Sequence, residues 1–237
     1  MAMIKFDGIN FNWDSMLKEI KKRKGEEKLQ PEMEEAAKKA YNEGVPRLKM
    51  QAVIETFDVD GIENESLLLS VPGQGIEKIH IGPKTGYLMP AEKAAVIFCT
   101  VGSPLVDLMQ QYEEEGDYLT MYYLDVLGVK ALAEVAEKMR RHVEEEAVKN
   151  GWGVGPFMQP GSVDGWTVEG QRDLFRLARP ERIGLRLNDS CFLIPRISDS
   201  ALIGMGAHYD SSKVGSMCHE CPRREQCLWR RENAAEN

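Results

Sequence analysis

The sequence lacks the features of a membrane or secreted protein. No apolar run approaches the roughly 18 residues that a membrane span needs. Residues 1–13 lack the basic, apolar and small-residue order of a secretory signal. We therefore expect a cytoplasmic protein with no membrane partner. Walker, dinucleotide-binding and G-x-S-x-G motifs are absent too, which argues against a nucleotide-binding protein and against a serine hydrolase.

Basic residues are fewer than acidic residues. The 237 residues include 30 Lys and Arg against 38 Asp and Glu, so the formal net charge is −8. Binding to a phosphate backbone depends on clustered basic residues, and nucleic acid is therefore not an expected partner. With 43% hydrophobic residues, the chain can fold around one sizeable core or two small ones.

Cysteine is scarce and unevenly spread. Three of the five cysteines, Cys218, Cys221 and Cys227, form a C-x2-C-x5-C pattern near the C-terminus. In a compartment that keeps thiols reduced, such a cluster favours metal or redox chemistry over structural disulfides. Cys99 ends an apolar run instead, so we expect it in the core.

Hydrophobic periodicity predicts an α+β chain. Helical spacing of apolar residues predicts helices at 13–23, 32–44, 103–116, 118–150 and 167–178. Short apolar or alternating runs predict strands at 3–6, 47–59, 66–71, 78–82, 94–102, 182–188, 190–195 and 200–206. We expect Ser103 and Gly44 to cap their helices and Gly128 to interrupt the longest one. Residues 151–166, with five glycines and two prolines, predict a shaped loop.

A series of short motifs follows in order between about residues 90 and 206. It comprises Thr100 and Gly102 at a strand end, Asp125 on the long helix, Pro160 and Gly161 in the glycine-rich loop, and then Asn188, Asp189, Ser190, Pro195, Ser198, Ser200 and Gly204. In order and spacing, these motifs resemble the reactivation domain of cobalamin-dependent methionine synthase and its small stand-alone relatives.

This resemblance implies a helmet-like α+β fold, built on a twisted antiparallel sheet with long helices. It divides the chain into an N-terminal α/β part of the fold (1–90), a core resembling the activation domain (91–207) and a tail (208–237). The cysteine-rich tail lies outside the part shared with the full-length synthase and is the predicted metal-binding segment.

The resemblance also implies a function. Domains of this family bind S-adenosylmethionine and present its methyl group to a cob(I)alamin made by one-electron reduction. We expect an activator of corrinoid-dependent methyl transfer whose partner is a corrinoid protein or cobalamin-dependent methyltransferase, with cobalamin supplied by that partner. If the chain is an enzyme, it is a methyltransferase or reductive activase. The alternative is a non-catalytic module that binds a corrinoid protein or cobalamin and has a structural zinc tail.

Candidate ligand-binding residues follow from the resemblance. A glutamate on the family's long helix contacts the amino group of the sulfonium ligand, and the motifs place Glu134 at that position. A carboxylate facing an ammonium group is a strong pairing. Glu134 could equally be a solvated helix residue, since Lys130 and Lys138 lie one turn away on either side. The loop contributes the remaining candidates, Gln159, Pro160, Gly161 and Ser162.

One departure from the family concerns the ligand carboxylate. The family loop reads R-x-A-P-G-Y, and its arginine helps to hold that carboxylate, whereas this chain has Phe157 at the arginine position. A guanidinium can hold a carboxylate through two parallel hydrogen bonds, so its loss predicts weak binding of S-adenosylmethionine. Arg196 is the candidate substitute.

The resemblance bears on the metal site as well. Cys191 takes a position that is not cysteine in the family, and we expect it to complete a set with Cys218, Cys221 and Cys227. Four cysteinates suit either zinc or an iron-sulfur cluster. An activator that passes one electron favours the cluster, because zinc has no redox chemistry. His208 and His219 leave a mixed Cys/His zinc site open.

Overall fold

The computed structural model describes residues 2–5, 12–24, 29–221, 224, 225 and 227. Its helices are α1 (Trp13–Lys24), α2 (Pro31–Gly44), α3 (Ser103–Glu115), α4 (Tyr118–Lys149) and α5 (Gln171–Ala178). Its strands are β1 (Ala2–Lys5), β2 (Gln51–Glu63), β3 (Ser66–Val71), β4 (Gly75–His80), β5 (Lys93–Thr100), β6 (Gly153–Val154), β7 (Arg186–Leu187), β8 (Leu193–Ile194) and β9 (Ser198–Gly206).

One antiparallel sheet organises the molecule. Its strand order is β4-β3-β2-β5-β9-β6, and β1 pairs with the first part of β2. Strand β2 joins the N-terminal third of the chain to the rest, because it pairs with β3 on one side and β5 on the other. Strands β7 and β8 form a separate two-stranded hairpin. The predicted α+β class with an antiparallel sheet is confirmed.

The central strand β5 separates two hydrophobic cores. Ala95, Ile97 and Cys99 face a core formed with α1 to α4, which we call the helix-side core. Val96 and Phe98 face the opposite core, formed with α5 and the loops around it, which we call the loop-side core. Side chains alternate across a strand, so an apolar run buried on both faces serves both cores. Cys99 is buried as predicted, and burial raises the pKa of its thiol well above the usual range.

Two glycines behave differently from the prediction. Helix α4 runs unbroken through Gly128, where an added Cβ would lie 2.5 Å from Ile197 Cδ1 and 2.8 Å from Leu105 Cδ2. Gly44 is not a left-handed cap, since its φ is −78° and the chain continues into a 3₁₀ turn. A Cβ there would lie 2.5 Å from Leu127 Cδ2. Both glycines therefore allow neighbouring elements to pack closely against each other in the helix-side core.

The start of α3 also differs from the prediction. Ser103 is the first residue of α3 rather than its cap, and Gly102, with φ of 84°, precedes it. Helix α4 is capped by Asp117, whose Oδ1 accepts a hydrogen bond of 3.0 Å from the Thr120 backbone N–H. Such caps satisfy amide groups that have no partner within the helix. No helix in the described ranges is long and apolar enough to cross a membrane.

Candidate functional site

A cavity of about 390 Å³ lies between α4, the Pro-Gly loop (residues 155–162), β9 and the C-terminal tail. We use "tail" for the described residues from 208 onwards. The wall supplied by α4 consists of side chains spaced three or four apart on one helix face: Val129, Leu132, Ala133, Ala136 and Arg140. The first four of these are apolar and mostly small, so the helix leaves room for a bound group.

Arg140 brings a positive charge to this wall. Its side chain is only 12% exposed, and its guanidinium carbon lies 4.1 Å from the centre of the Phe157 ring. Stacking of a guanidinium on an aromatic face is favourable and fixes its orientation. It also interacts with Glu137 at 3.5 Å. The cavity therefore has an oriented cation beside the Pro-Gly loop.

The Pro-Gly loop is held between the sheet and the tail. Met158 exchanges two backbone hydrogen bonds with Leu202 of β9, at 3.0 and 2.9 Å. The Phe157 N–H donates to the Gly215 carbonyl of the tail at 3.0 Å. Gln159 and Ser162 then line the cavity from this loop. These backbone contacts make the loop part of the sheet's edge and fix its side chains relative to α4.

Asp199 of β9 is the acidic group of the cavity. Burial raises the pKa of its carboxyl to about 6, although the Ser200 N–H, Arg140 and Gln159 oppose this increase. The Ser200 N–H donates to Asp199 Oδ1 at 2.9 Å, and Gln159 Nε2 donates to the same oxygen. A carboxyl with such a pKa can hold or release a proton near neutral pH.

The tail closes the remaining side. Glu144 of α4 anchors it through Oε1, which accepts from the Val214 N–H at 2.9 Å, and Oε2, which accepts from Lys213 Nζ at 2.7 Å. Beyond this anchor, five tail residues line the cavity: Ser216, Met217, Cys218, Cys221 and Cys227. The tail thus places three thiols opposite the apolar face of α4.

The predicted site residues fall into two groups. Gln159, Ser162 and the three tail cysteines meet at the cavity, and Pro160 and Gly161 lie between the first two in the same loop. Gly161 adopts a φ of 79°, and its N–H donates to the Trp166 carbonyl at 2.7 Å, which closes the loop. The ligand and metal roles of these residues stay predictions.

Three other predicted residues lie away from the cavity lining. The Glu134 side chain is 49% exposed and lies 3.9 Å from Lys130 Nζ. Arg196 pairs with Asp125 at 2.8 Å. Cys191 is buried in the turn between β7 and β8, where its N–H donates to the Asn188 carbonyl at 3.0 Å.

Sequence reasoning missed Arg140 and Asp199. Arg140 continues the helical spacing of Val129, Ala133 and Ala136, so its face of α4 could have been inferred. That the Pro-Gly loop covers this face could not have been inferred from the sequence. Asp199 gave a weaker signal, because a carboxylate between Ser198 and Ser200, just before the predicted strand, is also compatible with an exposed position.

The cysteine set does not form a ready site for a single ion. In the part of the chain that the structure describes, no three His, Cys, Asp or Glu side chains are grouped so that they could hold one metal ion. All five cysteines are free thiols. The tail cysteines therefore share a cavity without surrounding a single point in it.

Comparison with known proteins supports the fold. No protein-family model matches the sequence, and no curated protein matches it significantly. Among solved structures, the crystal structure of the MetH reactivation domain bound to AdoHcy matches with a TM-score of 0.62. The match covers 90% of this chain and 81% of that chain at 13% sequence identity. The reactivation-domain fold predicted from the short motifs is therefore confirmed.

Proposed function

We propose that this chain is an accessory protein of corrinoid-dependent methyl transfer, which assists reductive reactivation of a corrinoid held by a partner protein. The observation that carries the proposal is the cavity between α4 and the Pro-Gly loop. These are the two elements that the family resemblance connects with a ligand. The structural likeness to a reactivation domain that binds AdoHcy supports the same interpretation.

The reaction needs an external electron and a methyl donor. Cob(II)alamin takes up one electron to give cob(I)alamin, and this nucleophile attacks the sulfonium methyl of S-adenosylmethionine. The products are methylcob(III)alamin and S-adenosylhomocysteine. Because methyl transfer consumes cob(I)alamin, it pulls the unfavourable reduction forward. The role of the chain is to bring the donor and the partner's corrinoid together.

We assign the missing arginine's task to Arg140 rather than to Arg196. Phe157 occupies the family's arginine position, and the Arg140 guanidinium lies directly over its ring. Arg140 and Asp199 present opposite charges to the cavity, which suits the carboxylate and ammonium groups of an amino-acid ligand. A ligand carboxylate has to compete with Asp199 for Arg140, however, so we expect weak binding of S-adenosylmethionine.

Free cob(II)alamin provides the functional test. Under anaerobic conditions, the full chain is mixed with cob(II)alamin, titanium(III) citrate and S-adenosylmethionine, and methylcobalamin formation is followed by its visible spectrum. We expect the chain to accelerate methylcobalamin formation in the presence of both reductant and donor. Arg140→Met should reduce the acceleration, whereas Arg196→Met, a matched change outside the cavity lining, should not.

The outcomes separate the two candidate functions. A rate equal to that without protein, together with no binding of S-adenosylmethionine in calorimetry, would contradict the proposal. Binding of cob(II)alamin without any acceleration would favour the non-catalytic module instead. Loss of acceleration in Arg196→Met, with Arg140→Met unaffected, would indicate that Arg196 binds the ligand carboxylate, as the sequence predicted.

A further inference from the structure

The tail cysteines share one environment. Cys218, Cys221 and Cys227 are all half-buried, and all line the cavity of about 390 Å³. The opposite wall is the apolar face of α4, which includes Val129 and Ala133. Reduced thiols are chemically vulnerable, and three half-buried cysteines that line one partly open cavity are suited to binding a thiophilic group between them.

The backbone that carries these thiols is tied down. On the N-terminal side, the tail is fixed by Glu144 and by the pairing of Phe157 with Ser216. Between the first two cysteines, Glu220 is not part of the cavity lining. Its Oε2 lies 2.7 Å from Lys84 Nζ, and its Oε1 accepts from the Tyr87 hydroxyl at 3.2 Å. These contacts fix the turn that carries Cys218 and Cys221, both of which line the cavity.

The grouping of the possible ligands bears on the kind of metal centre. A single zinc ion needs its ligands grouped around one point, and the described residues contain no such group of three. A cluster of several metal ions is larger, so its cysteines bind different metals and stand farther apart. A partly open cavity that three tail cysteines line can supply the three cysteine ligands of such a cluster.

We propose that Cys218, Cys221 and Cys227 bind a [4Fe–4S] cluster on the tail side of the cavity, each through one iron, which leaves the side between α4 and the Pro-Gly loop to the methyl donor. The fourth iron then has no cysteine ligand and is open to a group from the cavity. Cys191 is not part of this set, because it is buried in the β7–β8 turn and does not line the cavity.

Charge in the cavity supports the same centre. A cluster core of charge 2+ with three thiolates has a net charge of −1, and Arg140 supplies a compensating positive charge at the cavity wall. The apolar side chains of α4 limit contact with water around the thiolates. The cluster would exchange the single electron that the proposed function requires, and in this respect the inference rests on that function. The test below detects the cluster itself and uses no corrinoid.

Anaerobic reconstitution tests the cluster on the full chain. The purified protein is incubated with ferrous and ferric iron, sulfide and dithiothreitol, then desalted, and its iron and sulfide are counted. We expect about four of each per chain, with broad visible absorption and an electron paramagnetic resonance signal after reduction by dithionite. Serine variants of Cys218, Cys221 and Cys227 should each lose most of the iron.

Two matched controls and one independent measurement keep the test decisive. Cys99→Ser and Cys191→Ser should retain wild-type iron content, and circular dichroism monitors the fold of every variant. The resonance signal is measured on the wild-type chain, so it does not depend on how the variants fold. A chain that takes up one zinc and no iron, or no metal at all, would overturn the proposal. A Cys191→Ser variant that folds but has lost its iron would also overturn it, because Cys191 would then be a metal ligand together with the three tail cysteines.

Discussion

Asp199→Asn should make the protein more stable at neutral pH and leave its stability nearly unchanged in acid. Burial raises the pKa of Asp199 from 3.8 to about 6. Between these two pH values, the folded chain binds more protons than the unfolded chain. The free energy of unfolding therefore falls as pH rises through this range, and the loss is complete above about pH 6.

The magnitude follows from the difference between the two pKa values. Each unit of separation corresponds to about 1.4 kcal/mol, so ionising Asp199 in the fold costs at most about 3 kcal/mol. Part of the side chain remains exposed, and solvent reduces the cost to about 1 to 3 kcal/mol. Asparagine has the same shape, never ionises and keeps a carbonyl oxygen to accept from Gln159. We therefore expect a gain of about 1 to 3 kcal/mol at pH 7.5.

Urea denaturation of both proteins at pH 4.0, 5.0, 6.0 and 7.5 measures this gain. The difference in unfolding free energy should grow with pH and level off above about pH 6. Asp125→Asn, at an ion pair outside the cavity lining, controls for removal of one negative charge. A stability difference that is independent of pH, or an asparagine variant that is less stable at pH 7.5, would refute the reasoning about burial.

Three further predictions concern the ligand, the tail and the sheet. Glu134→Gln should change the affinity for S-adenosylmethionine by less than about 0.5 kcal/mol in calorimetry, because Glu134 is half exposed; a loss of about 1 to 3 kcal/mol would restore its predicted ligand role. Glu144→Ala should cost about 1 to 3 kcal/mol by leaving the Val214 N–H without its acceptor, and should speed alkylation of the tail thiols; unchanged alkylation would show that this anchor does not hold the tail. Gly206→Ala should lower the free energy of unfolding by at least about 2 kcal/mol, because its Cβ would lie 2.2 Å from the Pro90 carbonyl oxygen; wild-type stability in urea would contradict that contact.

Local patterns predicted most of the helices and long strands, because periodicity records which face of an element is buried. Gly128 shows the limit of this reasoning. A glycine in a helical pattern is compatible with a break in the helix or with a close contact. At Gly128 the reason is a close contact with Ile197, which is far away in the chain. The two-residue strands β7 and β8 were predicted too long, since apolar residues near a turn resemble a strand.

The site was predictable in part, and the reason is again distance along the chain. The loop residues Gln159 and Ser162 and the tail cysteines were recognised from local motifs. Asp199 acquires its raised pKa from burial under elements that no local pattern connects, and its hydrogen-bond partner Gln159 is 40 positions away. Arg196 was predicted as the arginine that holds the ligand carboxylate, but it is Arg140, on the face of α4 that lines the cavity, that is positioned there.

The alternation of β5 between two cores has a consequence for how such a protein can diverge. Ile97 and Phe98 are neighbours in the chain, yet they pack in different cores on opposite faces of the sheet. Compensating substitutions on one face are therefore not constrained by side chains on the other, and their energetic effects should add independently. Over evolutionary time, the helical layer and the loop layer could each exchange their packing residues separately while the hydrogen-bonded backbone between them persists.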